Sequence, residues 1–463
     1  MSARSPAGAV FGIKRAAARV LGAASRASGR GGGTTLPGRF LLRLSPDAIS
    51  RLGSRLERGV TLVSATNGKT TTAGMISAIL AAEGRDPVHN RAGSNMTWGI
   101  ATALLEQRGK EGLFEVDEAW LPKVADQLDP RVLVLGNLFR DQLDRYGEIE
   151  ILADEWASTV ERHAGRARFV LNADDPLIAD LGRDRSGDAR GGTIHFGIED
   201  SSHALPELQH AFDAKHCRRC GHPYEYERAF VGHLGHYACP ACGAGRPRPE
   251  VAATRIELHG MRGSTVEARI PGGELSLELP LPGLYNVYNA LAAVAAGLEL
   301  GVPPTLIGEA LGDVRAAFGR VETIPVGGRE VSILLVKNPA GTNEVLRTLA
   351  LESDGGLDLW IGLNDRIADG RDISWIWDAD FELLGDAVRS VVCAGTRAPE
   401  MALRLKYAGW PVDAIEVVPE TGPSLDRAVE SARGRLFALP TYTALLDLRR
   451  LLADRGLAQE FWR

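Results

Sequence analysis

Short apolar runs alternate along most of the chain with segments in which apolar residues recur every three or four positions. Runs rich in Val, Leu and Ile are typical of buried parallel strands, and the helical periods between them predict covering helices. In the first block the predicted strands and helices are Gly59–Val63, Ala73–Glu83, Leu113–Glu118, Val132–Asn137, Ile149–His163 and Phe169–Pro176. This order predicts a mostly parallel sheet with helices on both faces.

A second block with the same alternation predicts a smaller, Rossmann-like α/β domain at the C-terminal end. Its predicted strands are Val331–Val336, Leu357–Leu363, Ser390–Ala394, Ala414–Val418 and Arg435–Leu439, and its predicted helices are Asn343–Leu351, Pro399–Ala408, Ser424–Ala432 and Tyr442–Ala453. Between the blocks, Ala252–Leu281 alternates apolar and polar residues, which predicts a β-meander at the edge of the first domain. We therefore expect a leader (1–45), a first domain (46–314) with an insertion at 212–247, and a C-terminal domain (315–463).

The leader differs in charge from the rest of the chain. The formal net charge is −6, yet residues 1–46 contain Arg and Lys but no Asp or Glu. At helical spacing one face would be apolar and the other basic; the apolar positions are Val10, Ile13, Ala17, Val20, Leu21 and Ala24, and the basic ones are Arg15 and Arg19, with Lys14 at the edge. Two interpretations stay open: an amphipathic helix on an anionic membrane or a partner protein, or a solvated, partly disordered leader. The chain has no run of about 18 apolar residues, so no spanning helix is expected.

A phosphate-binding loop follows the first predicted strand. Thr66-Asn67-Gly68-Lys69-Thr70-Thr71 stands between that strand and a helical pattern. In such a loop the backbone N–H groups face phosphates, Lys69 neutralises their charge, and the Thr70 hydroxyl can bind Mg²⁺. The general pattern has a glycine where Val63 stands, so the match is incomplete.

Carboxylates end the second predicted strand, at Glu115, Asp117 and Glu118. Acidic residues at the carboxyl end of a strand, beside a phosphate loop, are where an α/β nucleotide site holds its metal ion. The alternative is a charged strand end that faces solvent.

Four of the five cysteines form two C-x-x-C pairs, Cys217 with Cys220 and Cys239 with Cys242. This arrangement predicts a four-cysteine zinc ribbon, and because four protein ligands leave no open position the zinc would be structural. Nearby histidines could also be ligands, but the cysteine set is complete without them. Ribbons often contact nucleic acid; the acidic balance of this chain favours a scaffold, and no nucleic-acid partner is expected. The fifth cysteine, Cys393, lies in an apolar strand and is interpreted as a core residue.

Several of these motifs together resemble the Mur ligases, the ATP-dependent ligases of peptidoglycan synthesis. The resembling segments are Thr66–Thr71 (with Ala65 where the family usually has glycine), Glu115–Glu118, Gly283-x-x-Asn286-x-x-Asn289, and Asp141–Asp144, in which Gln142 replaces a histidine. The resemblance implies a Mur-ligase-like central domain that binds ATP and Mg²⁺. It also implies that Asn289 lies near the adenine and Asn286 at the helix entry.

The ribbon, the segment Asn137–Glu148 and the segment Ala368–Asp378 narrow the resemblance to the ligase-like subunits of lipid II isoglutaminyl synthases. That resemblance implies ATP-dependent phosphorylation of the α-carboxyl of D-glutamate in lipid II, followed by displacement of phosphate by ammonia to give D-isoglutamine. It implies a heterodimer with a class I glutamine amidotransferase subunit of the GatD type, and a cytoplasmic enzyme at the inner face of the membrane. Asp372 is expected to be the catalytic carboxylate, with Asp369 and Asp378 as competitors.

Two other functions are compatible with the same motifs. A Mur-type ligase that adds an amino acid would share the ATP site but would need no glutaminase. A zinc-ribbon regulator with a phosphate loop would bind nucleic acid in a strongly salt-dependent manner.

Overall fold

A computed structural model describes residues 6–27, 35–91, 94–140, 149–184, 186–209, 212–315, 322–352 and 356–458. The predicted motif Asp141–Asp144 and the glycine-rich segment at 28–34 lie outside these ranges. None of the helices within them has both the length and the apolar character needed to cross a membrane.

The first part of the chain contains alternating helices and strands, as its apolar runs predict. The helices are α1 Pro6–Ala27, α2 Leu36–Leu44, α3 Ala48–Gly53, α4 Lys69–Ala82, α5 Thr97–Glu106, α6 Leu121–Leu128, α7 Ile149–His163, α8 Pro176–Ala179, α9 Leu284–Glu299 and α10 Pro304–Gly312. The strands are β1 Val60–Ser64, β2 Val88–His89, β3 Gly112–Glu115, β4 Val132–Leu135, β5 Arg168–Asn172, β6 Thr193–Ile198, β7 Glu225–Val231, β8 Leu234–Ala238, β9 Val251–Leu258, β10 Ser264–Ile270 and β11 Gly273–Leu279.

Nine of these described strands form one sheet in the order β11-β10-β9-β6-β5-β4-β1-β3-β2. From β2 to β9 the neighbours are parallel, whereas β9, β10 and β11 pair antiparallel and form the predicted meander at one edge. Side chains of β1 alternate between the two faces: Val63 packs with α4 and α9, and Leu62 packs in the opposite layer with α5 and α7. Both faces of the sheet are therefore covered, as in other α/β folds.

The C-terminal part forms a second sheet. Its strands are β12 Glu322–Val326, β13 Arg329–Ile333, β14 Leu357–Gly362, β15 Val388–Ala394, β16 Ile415–Val417 and β17 Leu436–Pro440, and its helices are α11 Pro339–Ala350, α12 Ala398–Tyr407, α13 Thr421–Ser431 and α14 Tyr442–Asp454. The order of these described strands is β12-β13-β17-β14-β15-β16. All neighbours are parallel except β12 and β13, which form a hairpin at the edge. The predicted α/β fold class is confirmed in both parts.

The leader is helical over most of the residues that are described. Residues Pro6–Ala27 form one helix, and its Phe11 and Ala18 side chains are buried against the body of the protein. The helical spacing predicted for this segment is confirmed, and the two interpretations of the leader stay open. The predicted apolar positions Val10, Ile13 and Val20 are exposed, on the side of the helix that faces away from the body.

Candidate active site

The phosphate loop joins the carboxyl end of β1 to the start of α4. Gly68 is the residue before the helix and has φ +89°, a conformation that side chains disfavour. A Cβ atom there would also lie 1.9 Å from Asn289 Oδ1, so glycine is required for packing as well as for conformation. The backbone N–H of Asn67 donates to Asn137 Oδ1 at 2.9 Å, which fixes the loop against the end of β4.

Lys69 lies buried at the first position of α4, with 8% of its surface exposed. Its Nζ donates to Glu118 Oε2 at 2.8 Å and to the carbonyl oxygen of Ala65. Burial opposes the charged form, but the attraction of Glu118 and of the neighbouring carboxylates keeps the pKa of Lys69 above its ordinary value. The pKa of Glu118 is lowered, because Lys69 and Lys337 outweigh the effect of burial. The site therefore holds a charged lysine paired with a charged glutamate.

A second carboxylate faces the helix beside this pair. The Thr70 hydroxyl donates to Glu115 Oε1 at 2.9 Å, and Glu115 is only 3% exposed. The backbone of Glu115 is held by the Asn90 side chain, which accepts from its N–H at 3.0 Å and donates to its carbonyl oxygen at 2.8 Å. A hydroxyl and a carboxylate oxygen on rigid elements are ligands that suit Mg²⁺.

The two predicted asparagines of α9 contact each other and the loop. Asn289 Nδ2 donates to Asn286 Oδ1 at 3.0 Å, and Asn289 Oδ1 accepts from the Thr72 hydroxyl at 3.3 Å. Asn286 Nδ2 donates to the carbonyl oxygen of Pro282 at 2.8 Å, which fixes the entry to α9. A narrow cleft beside these residues is lined among others by Ser64, Asn67, Gly136, Asn137, Tyr288 and Asn289. The structure thus brings Thr66–Thr71, Glu115, Glu118, Asn286 and Asn289 to one place.

Two residues of the C-terminal part, Lys337 and Asn338, also contact the phosphate loop, although no sequence motif pointed to them. The Asn338 and Asn67 side-chain amides bond reciprocally, at 3.0 and 3.3 Å. Lys337 Nζ donates to the carbonyl oxygen of Thr66 at 3.3 Å. Asn338 also accepts from the N–H of Gly341 as the N-cap of α11. An Asn-Pro pair after a predicted strand is typical of a helix start, so its position as a cap could have been recognised, but its contact across the two parts could not.

The three C-terminal aspartates lie in different surroundings. Asp372 is exposed, and hydrogen bonds from the N–H and hydroxyl of Ser374 lower its pKa. Asp369 is buried, and burial raises its pKa. Its carboxylate accepts hydrogen bonds from the backbone N–H of Thr443 at 2.7 Å and from the Thr443 hydroxyl at 2.5 Å. Asp378 Oδ2 lies 3.6 Å from Nη2 of Arg140, a residue of the segment Asn137–Glu148. Within the described residues, the structure does not bring the Asp372 carboxylate to the phosphate loop.

The four ribbon cysteines converge. The Sγ atoms of Cys217, Cys220, Cys239 and Cys242 all lie within 4.8 Å of one another. Each pair sits in a turn closed by a backbone hydrogen bond, from Gly221 N–H to the carbonyl of Cys217 and from Gly243 N–H to that of Cys239. The cluster could bind one tetrahedral metal ion, and its four thiolates match the ligand set of a structural zinc site.

The hairpin of the ribbon, β7 and β8, contacts both parts of the protein. The rings of His233 and Phe139 are in contact, with 4.6 Å between their centroids and 50° between their planes. The N–H of Phe139 donates to the Thr66 hydroxyl. The Arg347 guanidinium of α11 donates to the carbonyl oxygen of Phe230 at 2.6 Å. The ribbon thus braces the phosphate-loop domain against the C-terminal part, which agrees with a scaffold role.

Cys393, the remaining cysteine, lies on β15 inside the second core with none of its surface exposed. Burial raises its pKa to about 12. A thiol in this state is a poor nucleophile. The interpretation as a core residue is confirmed, and Cys393 is unsuited to act as the nucleophile of a glutaminase.

This fold and site define a class of enzyme. Residues 63–239 match the Mur ligase middle domain, and residues 335–445 match the MurT ligase C-terminal domain. A pseudomurein peptide ligase type C from Methanothermus fervidus has a similar structure, with a TM-score of 0.67 and 25% identity over 88% of this chain and 80% of that chain. MurF from Acinetobacter baumannii gives a TM-score of 0.64 at 18% identity over 89% and 80% of the two chains, which shows the fold. The protein is a Mur-type, ATP-dependent ligase.

Two curated relatives define the family more narrowly. The MurT subunits of lipid II isoglutaminyl synthase from Streptococcus pneumoniae R6 and Staphylococcus aureus N315 are 33% and 32% identical over 442 and 432 residues. The matches cover 93% and 92% of this chain and 94% of each relative. The chain belongs to the MurT family.

Proposed function

We propose that this chain is the ligase subunit of a lipid II isoglutaminyl synthase and amidates the α-carboxyl of D-glutamate in the stem peptide. The observation that carries the proposal is the similarity to MurT subunits along nearly the whole chain, together with a phosphate loop that both parts of the protein contact. In the first step the carboxylate oxygen takes the γ-phosphoryl group of ATP and ADP leaves. In the second, ammonia attacks the acyl phosphate, phosphate leaves, and the nitrogen loses a proton to give the amide.

The charged groups around α4 divide into two functions in this proposal. Lys69 and the backbone of Thr66–Thr71 would bind the phosphates, and Glu118, which accepts from the Lys69 ammonium at 2.8 Å, would orient it toward them. Thr70 and Glu115 would bind Mg²⁺, which neutralises charge on the transferred phosphoryl group when it is bound. Asn289 would hold the adenine side of the nucleotide, and Asn286 fixes the start of the helix that carries it.

The C-terminal carboxylate would act on the incoming ammonia. Asp372 is exposed and its pKa is lowered by Ser374, so at neutral pH it is a charged acceptor and a weak base. These properties suit orientation of ammonia better than proton abstraction. The buried Asp369 is bonded to Thr443 and suits a structural role.

The ammonia would come from a separate subunit, a class I glutamine amidotransferase of the GatD type, in a heterodimer. The buried state of Cys393 supports this division, because a glutaminase of that type needs a reactive thiolate. Zn²⁺ in the four-cysteine cluster would hold the ribbon against both parts of the chain. We further propose the domain limits 46–314 and 315–463, and a cytoplasmic location at the inner face of the membrane where lipid II is presented.

The experiment incubates the full chain with lipid II and ATP in three arms: with ammonium, with glutamine, and with glutamine plus a candidate glutaminase subunit. We expect isoglutamine in the first and third arms and none in the second. Mass spectrometry separates amidation, which replaces a hydroxyl by an amino group, from amino-acid addition, which adds a whole residue. A Lys69→Ala variant is the inactive control. Absence of ATP turnover in every arm would contradict the proposal.

A further inference from the structure

Helix α1 packs on the body of the protein with its more polar side. Phe11 and Ala18 are buried, the Lys14 ammonium donates to the carbonyl oxygen of Leu44 at 2.6 Å, and the Arg19 guanidinium donates to that of Leu105 at 2.7 Å. The Arg51 guanidinium lies 4.6 Å from the centre of the Phe11 ring. These contacts fix the rotation of the helix about its axis, because they come from α2, α3 and α5 on the same side.

The opposite side of α1 is apolar and open. Val10, Ile13 and Val20 are 52%, 71% and 70% exposed. At 100° per residue these three positions lie on one side of the helix, which we call the apolar arc. The arc contains no charged residue, and its other members include Ala9, Ala16, Ala17, Ala23 and Ala24. Lys14 and Arg19 lie at the two borders of this arc. A contiguous exposed apolar surface rimmed by polar residues is typical of an interaction site.

The leader contributes only basic residues to this surface, and the Glu106 carboxylate of α5 lies beside the helix at Gly22. Residues 1–46 contain no Asp or Glu, and the exposed Arg39 and Arg43 of α2 add to the basic rim of α1. Leu36 and Leu44, at the two ends of α2, are 42% and 41% exposed beside it. An apolar helix face with basic flanks fits the interface of an anionic lipid membrane, where the apolar side chains enter the acyl boundary and the cations meet lipid phosphates.

We propose that the outer face of α1, formed by Val10, Ile13, Ala17, Val20 and Ala24, binds the surface of an anionic membrane. The choice of a membrane as the occupant rests on the basic rim and on the proposed lipid-linked substrate. Docking through α1 would hold the enzyme in the plane where that substrate diffuses. Because Lys14 and Arg19 are bonded to the protein body, the helix stays attached to the domain while its outer face is in the membrane.

The test measures binding of the full chain, without substrate or ATP, to sedimented vesicles of phosphatidylglycerol and phosphatidylcholine and to vesicles of phosphatidylcholine alone. We expect binding to the anionic vesicles, weaker binding to the neutral ones, and a loss with added salt. The variant Ile13→Glu places a carboxylate in the apolar arc and should lower the partition coefficient by about tenfold or more. Its matched control is Val412→Glu, at a residue 61% exposed in the C-terminal part, which should bind like the wild type.

Each outcome decides the proposal. No binding of the wild type to anionic vesicles, or equal binding by the Ile13→Glu variant, overturns it. Light scattering tests whether a second copy of the chain covers this face instead of a membrane. If the wild type forms a concentration-dependent dimer that Ile13→Glu abolishes, and does not bind vesicles, the face is a dimer interface. Amidation of lipid II in detergent micelles, measured on the same variants, should be unchanged by Ile13→Glu. Failure of vesicle binding alone would therefore leave the proposed function standing, and failure of amidation alone would leave the membrane site standing.

Discussion

Replacing Glu115 and Glu118 by glutamine, one at a time, separates the two functions assigned to these carboxylates. Glu118 pairs with Lys69 at 2.8 Å, with side chains only 7% and 10% exposed. Removing one partner of a buried ion pair costs about 3–5 kcal/mol. Glutamine keeps the volume and one acceptor oxygen, and Asp117 and Glu115 remain near Lys69, so we expect Glu118→Gln to lower the free energy of unfolding by about 2–3 kcal/mol.

The Glu115→Gln variant should behave differently. Its amide oxygen can still accept from the Thr70 hydroxyl, so the free energy of unfolding should change by less than about 1 kcal/mol. Loss of the negative charge removes a ligand that Mg²⁺ prefers, and the Mg²⁺ concentration for half-maximal activity should rise about 10–100-fold. Glu118→Gln should move this concentration far less.

The assay has two parts. Urea unfolding of the nucleotide-free protein, followed by circular dichroism, gives the stability of each variant. Titration of Mg²⁺ in the ammonium-dependent amidation of lipid II gives the metal requirement. If Glu118→Gln shifted the Mg²⁺ requirement more than Glu115→Gln, or left the stability unchanged, the assignment of Glu118 to Lys69 and of Glu115 to the metal would be wrong.

Three further predictions follow from other contacts. Cys220→Ser should reduce the zinc content, measured by elemental analysis, and should lower the melting temperature. The control Cys393→Ser should keep the full zinc content. Equal zinc in both variants would contradict the ribbon assignment. Asn289→Ala removes the acceptor for the Thr72 hydroxyl and should raise the KM for ATP about 10-fold, with a smaller change in kcat. An unchanged KM would refute the placement of Asn289 at the nucleotide. Asp358 is buried, and although burial opposes ionisation, hydrogen bonds from Arg389 and its neighbours lower its pKa. Since the folded-state pKa is depressed, its contribution to stability is present above the unfolded value near 3.9 and is lost as the pH falls below it. Asp358→Asn should therefore be less stable than the wild type at pH 7 in urea unfolding, and the difference should shrink below about pH 4; a constant difference would contradict the shift.

Local sequence patterns predicted four parallel strands and the meander of the first sheet, and five strands of the second, because each of these elements carries its own periodicity. Strands β2 and β6 of the first sheet and helices α5 and α6 were not predicted. The hairpin strand β12 was missed, since Pro325 weakens its strand pattern and an edge position tolerates proline. Strand β13 was predicted at Val331–Val336 but is assigned to Arg329–Ile333. The turn at Gly327 and Gly328, both with positive φ, extends the hairpin toward the N-terminal side.

The phosphate loop, its carboxylates and the cysteine cluster could be predicted because each is a contiguous motif with fixed spacing. The contacts of Lys337 and Asn338 with the loop could not, because they depend on how segments about 270 residues apart in the chain meet. The orientation of α1 was also beyond the helical pattern: its apolar arc is visible in the sequence, but the burial of the Phe11 side is decided by what packs against it.

The central claim is that this chain uses ATP to join ammonia to the stem peptide of lipid II. The most direct test incubates the purified chain with lipid II, ATP and isotope-labelled ammonium, without any glutaminase, and analyses the lipid product by mass spectrometry. We expect ATP-dependent incorporation of labelled nitrogen at the α-carboxyl of D-glutamate, and we expect the Lys69→Ala variant to abolish it. A product that gains an amino-acid residue instead, or no labelled product although ATP is consumed, would contradict it.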